Sequence, residues 1–331
     1  MSYYTKERKR GCSRQLKRFG ILVAMDIVCL GEALIDFKAE DHLQVRGYEG
    51  GSPLNVAVTA ARLGAKVGFA TQLSTDMFGQ MLRDYMRDNA VDTSFLEESD
   101  APTTLAFVSE RDGDAHFSFI SNGAADTLYD PRPRPSFPPS VKFVQFGSKS
   151  LLDEPTASAI TDIVALHQGR AVTVLDPNCR PALVSDKAGY EASLQGWLEL
   201  ATMVKVSTQD AQWLYPETPT AQVAETWLGL GPTVVIVTNG AEGVTLYRSG
   251  KKPVFSAAKK VEVVDTVGAG DTFTGGLMAR LLERDKDLSE LSGDDWTDVL
   301  SYAAHAAALT CTRAGANPPT KAELQAFMKD A

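Results

Sequence analysis

The stretch VVDTVGAGDTFTGG, residues 263–276, decides the fold class of this 331-residue chain. β-Branched residues at 261–264 are typical of a strand, and apolar residues then recur at helical spacing: Phe273, Leu277, Met278, Leu281 and Leu282. The turn 268–270 is therefore expected between a strand and a helix N-terminus. Backbone N–H groups at such a helix start attract an anion, and the two glycines let a phosphate approach the backbone.

Asp271 follows this turn and lies in the first turn of the expected helix. An aspartate at such a position commonly caps the helix. Beside a phosphoryl group, the same carboxylate can accept the proton of an attacking hydroxyl and act as general base. The spacing does not match a P-loop, because no GxxxxGKS/T occurs. It does not match a GxGxxG fingerprint either, because the next glycine after Gly270 is Gly275.

From Met25 onward, strand-like and helix-like segments alternate along the chain. Short β-branched runs predict strands at 27–30, 67–70, 142–146, 171–175, 203–206 and 234–237. Helical periodicity predicts helices at 77–89, 154–167, 221–228 and 296–312. Nearly continuous apolar strands between helices indicate a doubly wound α/β fold, with a mostly parallel sheet covered on both faces.

One region departs from this alternation. The runs 104–109 and 115–120 flank RDGD at 111–114, and Asp-Gly between alternating runs predicts a β-hairpin. The segment 36–48 is also extended and polar. We expect these pieces to form a small antiparallel sheet, a lid at about 37–49 and 102–126 that closes over a site. An ordinary surface hairpin is the alternative.

Polar residues follow the predicted strands at the edge where open parallel sheets bind ligands. Asp36, after the first strand, can accept hydrogen bonds from two neighbouring hydroxyls. In GGSPLNVA, residues 50–57, Ser52 is expected to cap a helix with Pro53 in its first turn. Asn55 then lies beside the glycine pair, and its amide suits sugar hydroxyls. A plain turn and a plain cap are the alternatives.

Two later loops also follow strands. DPNCRP at 176–181 brings a carboxylate, an amide and a guanidinium together, and Arg180 could offset phosphate charge during a transfer. TNGAEG at 238–243 follows the strand 234–237. Polar loops of this kind are often only turns.

Composition restricts the function classes. The net charge of −9 gives no general electrostatic reason to bind nucleic acid or an anionic membrane, and no apolar stretch could span a bilayer. Four scattered cysteines, without CxxC or zinc-ligand spacing, indicate reduced thiols in a cytosolic protein. Residues 1–24 are basic; we expect a disordered extension or a start at Met25, with a transit peptide as the alternative.

Taken together, five segments resemble the ribokinase-like sugar kinases of the phosphofructokinase B family in pattern and chain order: 31–36, 50–57, 176–181, 238–243 and 263–276. The resemblance covers residues 26 to about 320. Three stretches are most similar to fructokinases: GEALIDF at 31–37, TTLAFV at 103–108 and FGSKSL at 146–151. It implies a three-layer αβα sandwich with a β lid over residues 25–331. It also implies transfer of the ATP γ-phosphate to a primary hydroxyl, with fructose as the best single substrate.

The resemblance also implies roles, residue by residue. It assigns the sugar to Asp36, Gly50, Gly51, Asn55 and Asp271. It makes Asp271 the base and places the phosphoryl group in flight at the amides of Gly268, Ala269 and Gly270, with Arg180 nearby. It assigns the nucleotide to Lys205, Ser207, Asp210, Thr238, Gly240, Gly243, Ala304 and Ala307. Potassium would bind at Asp265, Ala314 and Gly315, and Mg²⁺ would accompany ATP, with Asp210 acting through metal-bound water.

Two positions depart from the family pattern. STQD at 207–210 stands where many members have Asn-x-x-Glu, so the Asp210 carboxylate is one methylene shorter. Ile120-Ser121 stands where many carry an aromatic-Arg pair, whose arginine often meets the carboxylate of keto-deoxy sugar acids. The absence of that arginine favours a neutral sugar.

Several alternatives stay open on the sequence. One is a kinase for 2-keto-3-deoxygluconate, ribose or a nucleoside. Another is a catalytically inactive relative with a regulatory role, although the glycine turn and Asp271 are both intact. A third is a nucleotide-dependent oxidoreductase, which the missing GxGxxG after the first strand disfavours. The resemblance alone suggests a homodimer.

Overall fold

The computed structural model of the protein describes residues 24–41, 44–111 and 114–329. The strands in these ranges are β1 (Ile27–Leu30), β2 (Leu34–Asp41), β3 (Gln44–Gly50), β4 (Val67–Ser74), β5 (Val91–Ser99), β6 (Leu105–Arg111), β7 (Asp114–Ile120), β8 (Phe143–Gly147), β9 (Val172–Asp176), β10 (Met203–Ser207), β11 (Val234–Thr238), β12 (Val244–Tyr247) and β13 (Val254–Ser256). The helices are α1 (Ser52–Arg62), α2 (Met77–Asp88), α3 (Thr156–His167), α4 (Lys187–Leu200), α5 (Thr208–Leu214), α6 (Thr220–Leu228), α7 (Ala269–Arg284), α8 (Gly293–Cys311) and α9 (Lys321–Lys329). Residues 1–23 of the expected basic extension lie outside the described residues.

Nine of the described strands form one sheet, which we call the core sheet. Its order is β13-β12-β11-β10-β9-β8-β1-β4-β5. The neighbouring strands β11, β10, β9, β8, β1, β4 and β5 run parallel to one another. At one edge of the sheet, β12 and β13 pair antiparallel. The predicted mostly parallel α/β sheet is confirmed.

Helices cover both faces of the core sheet, which makes three layers. Ile27 and Cys29 of β1 pack in one core with α1, α2, α7 and α8. The alternate residues of the same strand, Val28 and Leu30, pack in a second core with α3, α4, α5 and α6. All four side chains are fully buried, and burying one such valine, leucine or isoleucine contributes about 1.5–3 kcal/mol. Across the described ranges, none of the helices has the length and apolarity needed to cross a membrane.

Four other strands form a second sheet, the small sheet, in the order β3-β2-β6-β7. Two antiparallel pairs, β2–β3 and β6–β7, are joined in the middle by a parallel pair. The hairpin and the extended segment are therefore confirmed, with a mixed pairing that the sequence did not indicate. Phe37 of β2 stacks on Phe107 at 5.3 Å and meets Phe78 of α2 edge-on at 5.9 Å, which docks the sheet on the core.

Two local predictions are wrong. Residues 261–264 form no strand, because their backbone docks on the end of α8 instead of on a strand. Val264 N–H donates to the Cys311 carbonyl at 2.8 Å, and the Val264 side chain is exposed. Ser52 does not cap α1, because Gly51 occupies the N-cap position. The Ser52 hydroxyl is engaged elsewhere, in the site described next.

Candidate active site

The loops that carry the candidate site residues meet at the carboxyl ends of the strands of the core sheet. The loops after β1, β8, β9, β10 and β11 all leave the carboxyl ends of parallel strands. β1 lies between β4, which follows it in the chain, and β8, which comes later. At such a switch point, consecutive loops diverge and leave a crevice, which is where open α/β sheets bind ligands.

The glycine turn 268–270 begins α7 at these carboxyl ends. Gly268 is the N-cap residue, with φ 75° in the left-handed region, and a Cβ there would lie 2.6 Å from the Ala316 Cβ. Only glycine meets both demands without strain. Among the described residues, no side chain caps this helix, although the Ala269 N–H donates to the Thr266 carbonyl at 3.2 Å. The first turn of α7 is thus suited to bind an anion through its backbone.

Asp271, in the first turn of α7, is held by two side chains from α1. The Ser52 hydroxyl donates to Asp271 Oδ1 at 2.6 Å, and the Asn55 amide donates to Asp271 Oδ2 at 2.9 Å. Asn178, in the loop after β9, donates to Ser52 Oγ at 2.7 Å and links a third element to the network. Asp271 is buried, so these bonds orient its carboxylate in a site largely shielded from water.

Close contact between α1 and α7 makes this network possible. A Cβ on Gly275 would lie 2.6 Å from the Thr59 Cβ, so only glycine lets the helices approach this closely. The Asn55 Oδ1 atom is buried and has no hydrogen-bond partner among the described residues. A buried acceptor without a partner is costly, and a ligand hydroxyl could satisfy it.

Asp36, at the base of β2, is the second carboxylate of the site. Gly50 lies directly against it, since a Cβ there would overlap the Asp36 carboxylate. Gly51 has φ 107°, and a Cβ there would lie 2.5 Å from the Glu32 carbonyl oxygen. Burial raises the pKa of Asp36 to about 7; Arg180 opposes the shift, and the Asp271 carboxylate adds to it. The structure therefore brings these charged groups within electrostatic reach of one another.

A buried ion pair lies beneath the glycine turn. Lys205 Nζ donates to Asp176 Oδ2 at 3.0 Å, and both residues are almost fully buried. The Lys205 ammonium would lie 2.9 Å from a Cβ on Gly270, so it lies directly beneath the start of α7. Burial raises the pKa of Asp176 to about 6 against the opposing charge of Lys205. Sequence reasoning assigned Lys205 to the nucleotide and gave Asp176 no role; its place at the end of β9 was the available signal.

The nucleotide candidates lie at neighbouring strand ends. Asp210 accepts from the Cys179 N–H at 3.1 Å and from the Ser207 hydroxyl at 2.7 Å, which anchors its short side chain between the β9 and β10 loops. Thr238 pairs with Ser207 in the sheet register, and Gly240 and Gly243 follow it. Arg180 Nη1 donates to the Asn178 carbonyl at 3.0 Å. Ala304 and Ala307 are on α8, which packs on the same face of the sheet as α7.

The residues expected to bind potassium also come together. Asp265 Oδ2 accepts from the Gly315 N–H at 3.1 Å, next to Ala314, and Asp265 Oδ1 accepts from the Val267 N–H at 3.1 Å. A side chain that sequence reasoning missed lies beside them: Lys38 Nζ of β2 donates to Asp265 Oδ2 at 2.9 Å. Burial raises the pKa of Asp265, but the hydrogen bonds from Val267 and Lys38 outweigh it and lower the pKa below its usual value.

Known proteins are similar to this chain in sequence and in fold. The profile of the pfkB family carbohydrate kinases matches residues 24–323. A fructokinase from Rhizobium leguminosarum bv. trifolii is 34% identical over 259 residues, which covers 77% of this chain and 79% of that protein. The crystal structure of a fructokinase with bound ATP from Xylella fastidiosa matches with a TM-score of 0.85 at 29% identity, covering 93% of this chain and 99% of that one.

A third comparison includes a sugar and an ion. The structure of a fructokinase double mutant from Vibrio cholerae O395, which holds fructose, ADP and a potassium ion, matches with a TM-score of 0.82 at 25% identity. It covers 92% of this chain and 98% of that one. Fold and site together define a sugar kinase with a ribokinase-like fold. The chain belongs to the pfkB family of carbohydrate kinases.

Proposed function

We propose that this protein transfers the γ-phosphoryl group of ATP to a primary hydroxyl of a neutral sugar, and that the sugar is D-fructose, converted to fructose 6-phosphate. One observation carries the proposal: the buried Asp271 carboxylate, oriented by Ser52 and Asn55, lies in the first turn of a helix that starts at a glycine turn. A base and an anion site thus share one helix start, as phosphoryl transfer requires.

In this reaction Asp271 is the general base. It takes the proton of the sugar hydroxyl as the sugar oxygen forms its bond to the γ-phosphorus and the bond from that phosphorus to the ADP oxygen breaks. N–H groups of the turn 268–270 stabilise the charge on the transferring group, and Lys205, beneath Gly270, adds a positive charge on the same side. Arg180 adds a second positive charge from the β9 loop.

The sugar lies on the other side of Asp271. Asp36, Gly50, Gly51 and Asn55 line this part of the crevice, and the unpaired Asn55 Oδ1 supplies an acceptor for a hydroxyl. Fructose is favoured over a sugar acid because Ser121 stands where an arginine would meet a carboxylate. The relatives named above, which are fructokinases, support the same choice.

The nucleotide is ATP with Mg²⁺. Within 24–41, 44–111 and 114–329, no group of three or more His, Cys, Asp or Glu side chains could hold a metal ion on its own. Magnesium commonly binds through phosphate oxygens, water and one or two carboxylates. Asp210, whose carboxylate is already anchored by Ser207 and Cys179, is suited to orient metal-bound water. When bound to the phosphates, magnesium would offset negative charge on the transferring group.

Three further points belong to the proposal. The small sheet closes over the site as a lid and excludes water. A second copy of the chain can pair along an open edge of this sheet, which makes a homodimer the expected assembly. The scattered thiols suit a reducing, cytoplasmic location.

A coupled ADP-release assay with Mg-ATP tests the substrate. The panel comprises fructose, glucose, ribose, 2-keto-3-deoxygluconate and adenosine. We expect turnover on fructose well above the other four, and little ADP release without sugar. Faster turnover on another compound replaces the substrate and keeps the reaction. No turnover on any of them, with ATP bound, contradicts the proposed function.

A further inference from the structure

Lys38 connects the small sheet to the loop before the glycine turn. It is carried on β2, two residues after Asp36, and its ammonium lies 2.9 Å from Asp265 Oδ2. The Lys38 side chain is 40% exposed, whereas that of Asp265 is only 6% exposed. The pair therefore lies where the small sheet meets the core, with the carboxylate on the buried side.

The groups around Asp265 do not fit a monovalent cation. Such an ion is held by oxygen lone pairs, from carboxylates and backbone carbonyls. Here the Asp265 carboxylate receives three hydrogen-bond donors: the Lys38 ammonium, the Gly315 N–H and the Val267 N–H. Its charge is already compensated by Lys38, and a potassium ion beside it would be repelled by the ammonium.

The same loops support the glycine turn from behind. Asp265 binds the Gly315 N–H, and the next residue, Ala316, lies against Gly268, where a Cβ would come within 3.0 Å of the Ala316 Cα. Tyr48 of β3 packs on Gly315 from the small sheet, since its Cδ1 lies 2.9 Å from a Cβ position there. Two strands of the small sheet thus contact the support of the turn that is proposed to bind phosphate.

We propose that the Lys38 ammonium replaces the monovalent cation at Asp265, so that this kinase works without potassium. Because β2 carries Lys38, the small sheet supplies the charge that holds the Asp265 loop and, through Gly315 and Ala316, the position of Gly268. Lys38 is a positioning residue, since it acts through Asp265 and not on the substrate. The kinetic part of this inference rests on the proposed function; the binding part does not.

Thermal unfolding measures the binding part without any sugar. Wild type and Lys38→Met are melted in potassium chloride and in choline chloride at equal ionic strength. We expect the wild-type midpoint to be the same in both salts. Lys38→Met frees a position on the Asp265 carboxylate, so potassium should raise its midpoint by about 2 °C over choline.

Kinetics measure the positioning part. In choline, Lys38→Met should lose about tenfold in kcat, the usual scale for losing a hydrogen bond between charged groups. Potassium should restore it in a saturable manner, while wild-type turnover stays unchanged. Lys38→Arg keeps the charge and should stay independent of potassium. Lys66→Met is the matched control, because Lys66 is exposed and immediately precedes β4. It therefore lies at the amino ends of the strands, away from the candidate site.

The two proposals can fail separately. If potassium activates or stabilises the wild type, or if Lys38→Met behaves as wild type in both salts, the inference about Lys38 is wrong, whatever the substrate. If the wild type phosphorylates no sugar while potassium stabilises only Lys38→Met, the proposed function fails and the replacement of the cation by Lys38 stands.

Discussion

The core sheet and the small sheet differ in how they are covered. All four residues of β1 in the core sheet are fully buried, while residues 44–47 of β3 in the small sheet are exposed. A sheet buried on both faces holds its loops rigidly, because any movement disrupts close packing. A sheet with one open face and few core contacts moves at a much lower cost in free energy.

The polar residues of the site divide along the same line. Asp271, Ser52 and Asn55 lie on helices packed against the core sheet, and the Lys205–Asp176 pair lies in that sheet, whereas Asp36 and Lys38 lie on β2 of the small sheet. We therefore expect substitutions on the core side to change chemistry or stability. Substitutions on the small sheet should change sugar recognition and closure, while the fold stays intact.

The largest effect is expected at Asp271. Asp271→Asn removes the proton acceptor and keeps the size of the side chain, so kcat should fall about 10²- to 10⁴-fold. Steady-state kinetics measure this loss, and thermal unfolding should show only a small change. Asp285→Asn is the control at the other end of α7, where the exposed residue has φ 47° and asparagine is equally well tolerated. Near-normal turnover in Asp271→Asn would show that another group is the base.

A smaller effect, on stability, is expected where α7 meets α1. Gly275→Ala would place its Cβ 2.6 Å from the Thr59 Cβ and 2.8 Å from the Val56 carbonyl oxygen. We expect the free energy of unfolding to fall by about 1–3 kcal/mol, the usual cost of overpacking. Turnover should fall as well, since Ser52 and Asn55 would shift relative to Asp271. Chemical denaturation measures the change in stability.

Gly276→Ala is the matched control for that substitution. Its Cβ would lie 3.3 Å from the Ala303 Cα, a tight but tolerable distance. The gain in helix propensity, about 1 kcal/mol, should offset the strain. Equal stabilities of the two variants would mean that the contact between α1 and α7 is looser than the structure has it, and that the core side is not the rigid part.

The smallest effect is expected from pH, through Asp36. Its pKa is raised to about 7 by burial, and a protonated carboxyl can no longer accept two hydrogen bonds from the sugar. Since kcat/KM reports ionisations of the free enzyme, kcat/KM for sugar should fall about tenfold between pH 8 and pH 6. In Asp36→Asn this dependence should disappear at a lower overall kcat/KM. If Asp36→Asn keeps the wild-type profile, the titrating group lies elsewhere, for example at Asp176.

Local patterns were sufficient for most of the elements that the sequence analysis predicted. Alternation of apolar strands and helices led to the parallel sheet, and Asp-Gly between two runs led to the β6–β7 hairpin, because both depend on residues close in the chain. The strand predicted at 261–264 was wrong because the prediction also used only neighbouring residues. β-Branched residues favour an extended backbone, but a strand also needs a partner strand. Here the backbone of this run donates a hydrogen bond to the end of α8 instead of to a strand.

The site could be predicted only in part. Gly268, Asp271 and Asn55 are recognisable in the sequence, because each lies in a short segment whose predicted local structure, a glycine turn or a helix start, indicates a role. The family of carbohydrate kinases follows from such segments and their order, and it is confirmed. The roles of the individual residues stay predictions.

Contacts between segments that are far apart in the chain could not be predicted from local sequence patterns. Lys38 and Asp265 are 227 residues apart, and Ser52 and Asp271 are 219 apart. Their meeting depends on the order of strands and on how closely α1 approaches α7, and no local pattern carries that information. The chain's own residues define the class of protein, whereas its folding in three dimensions selects which charges face each other, because ion pairs and hydrogen bonds form only across distances that packing sets.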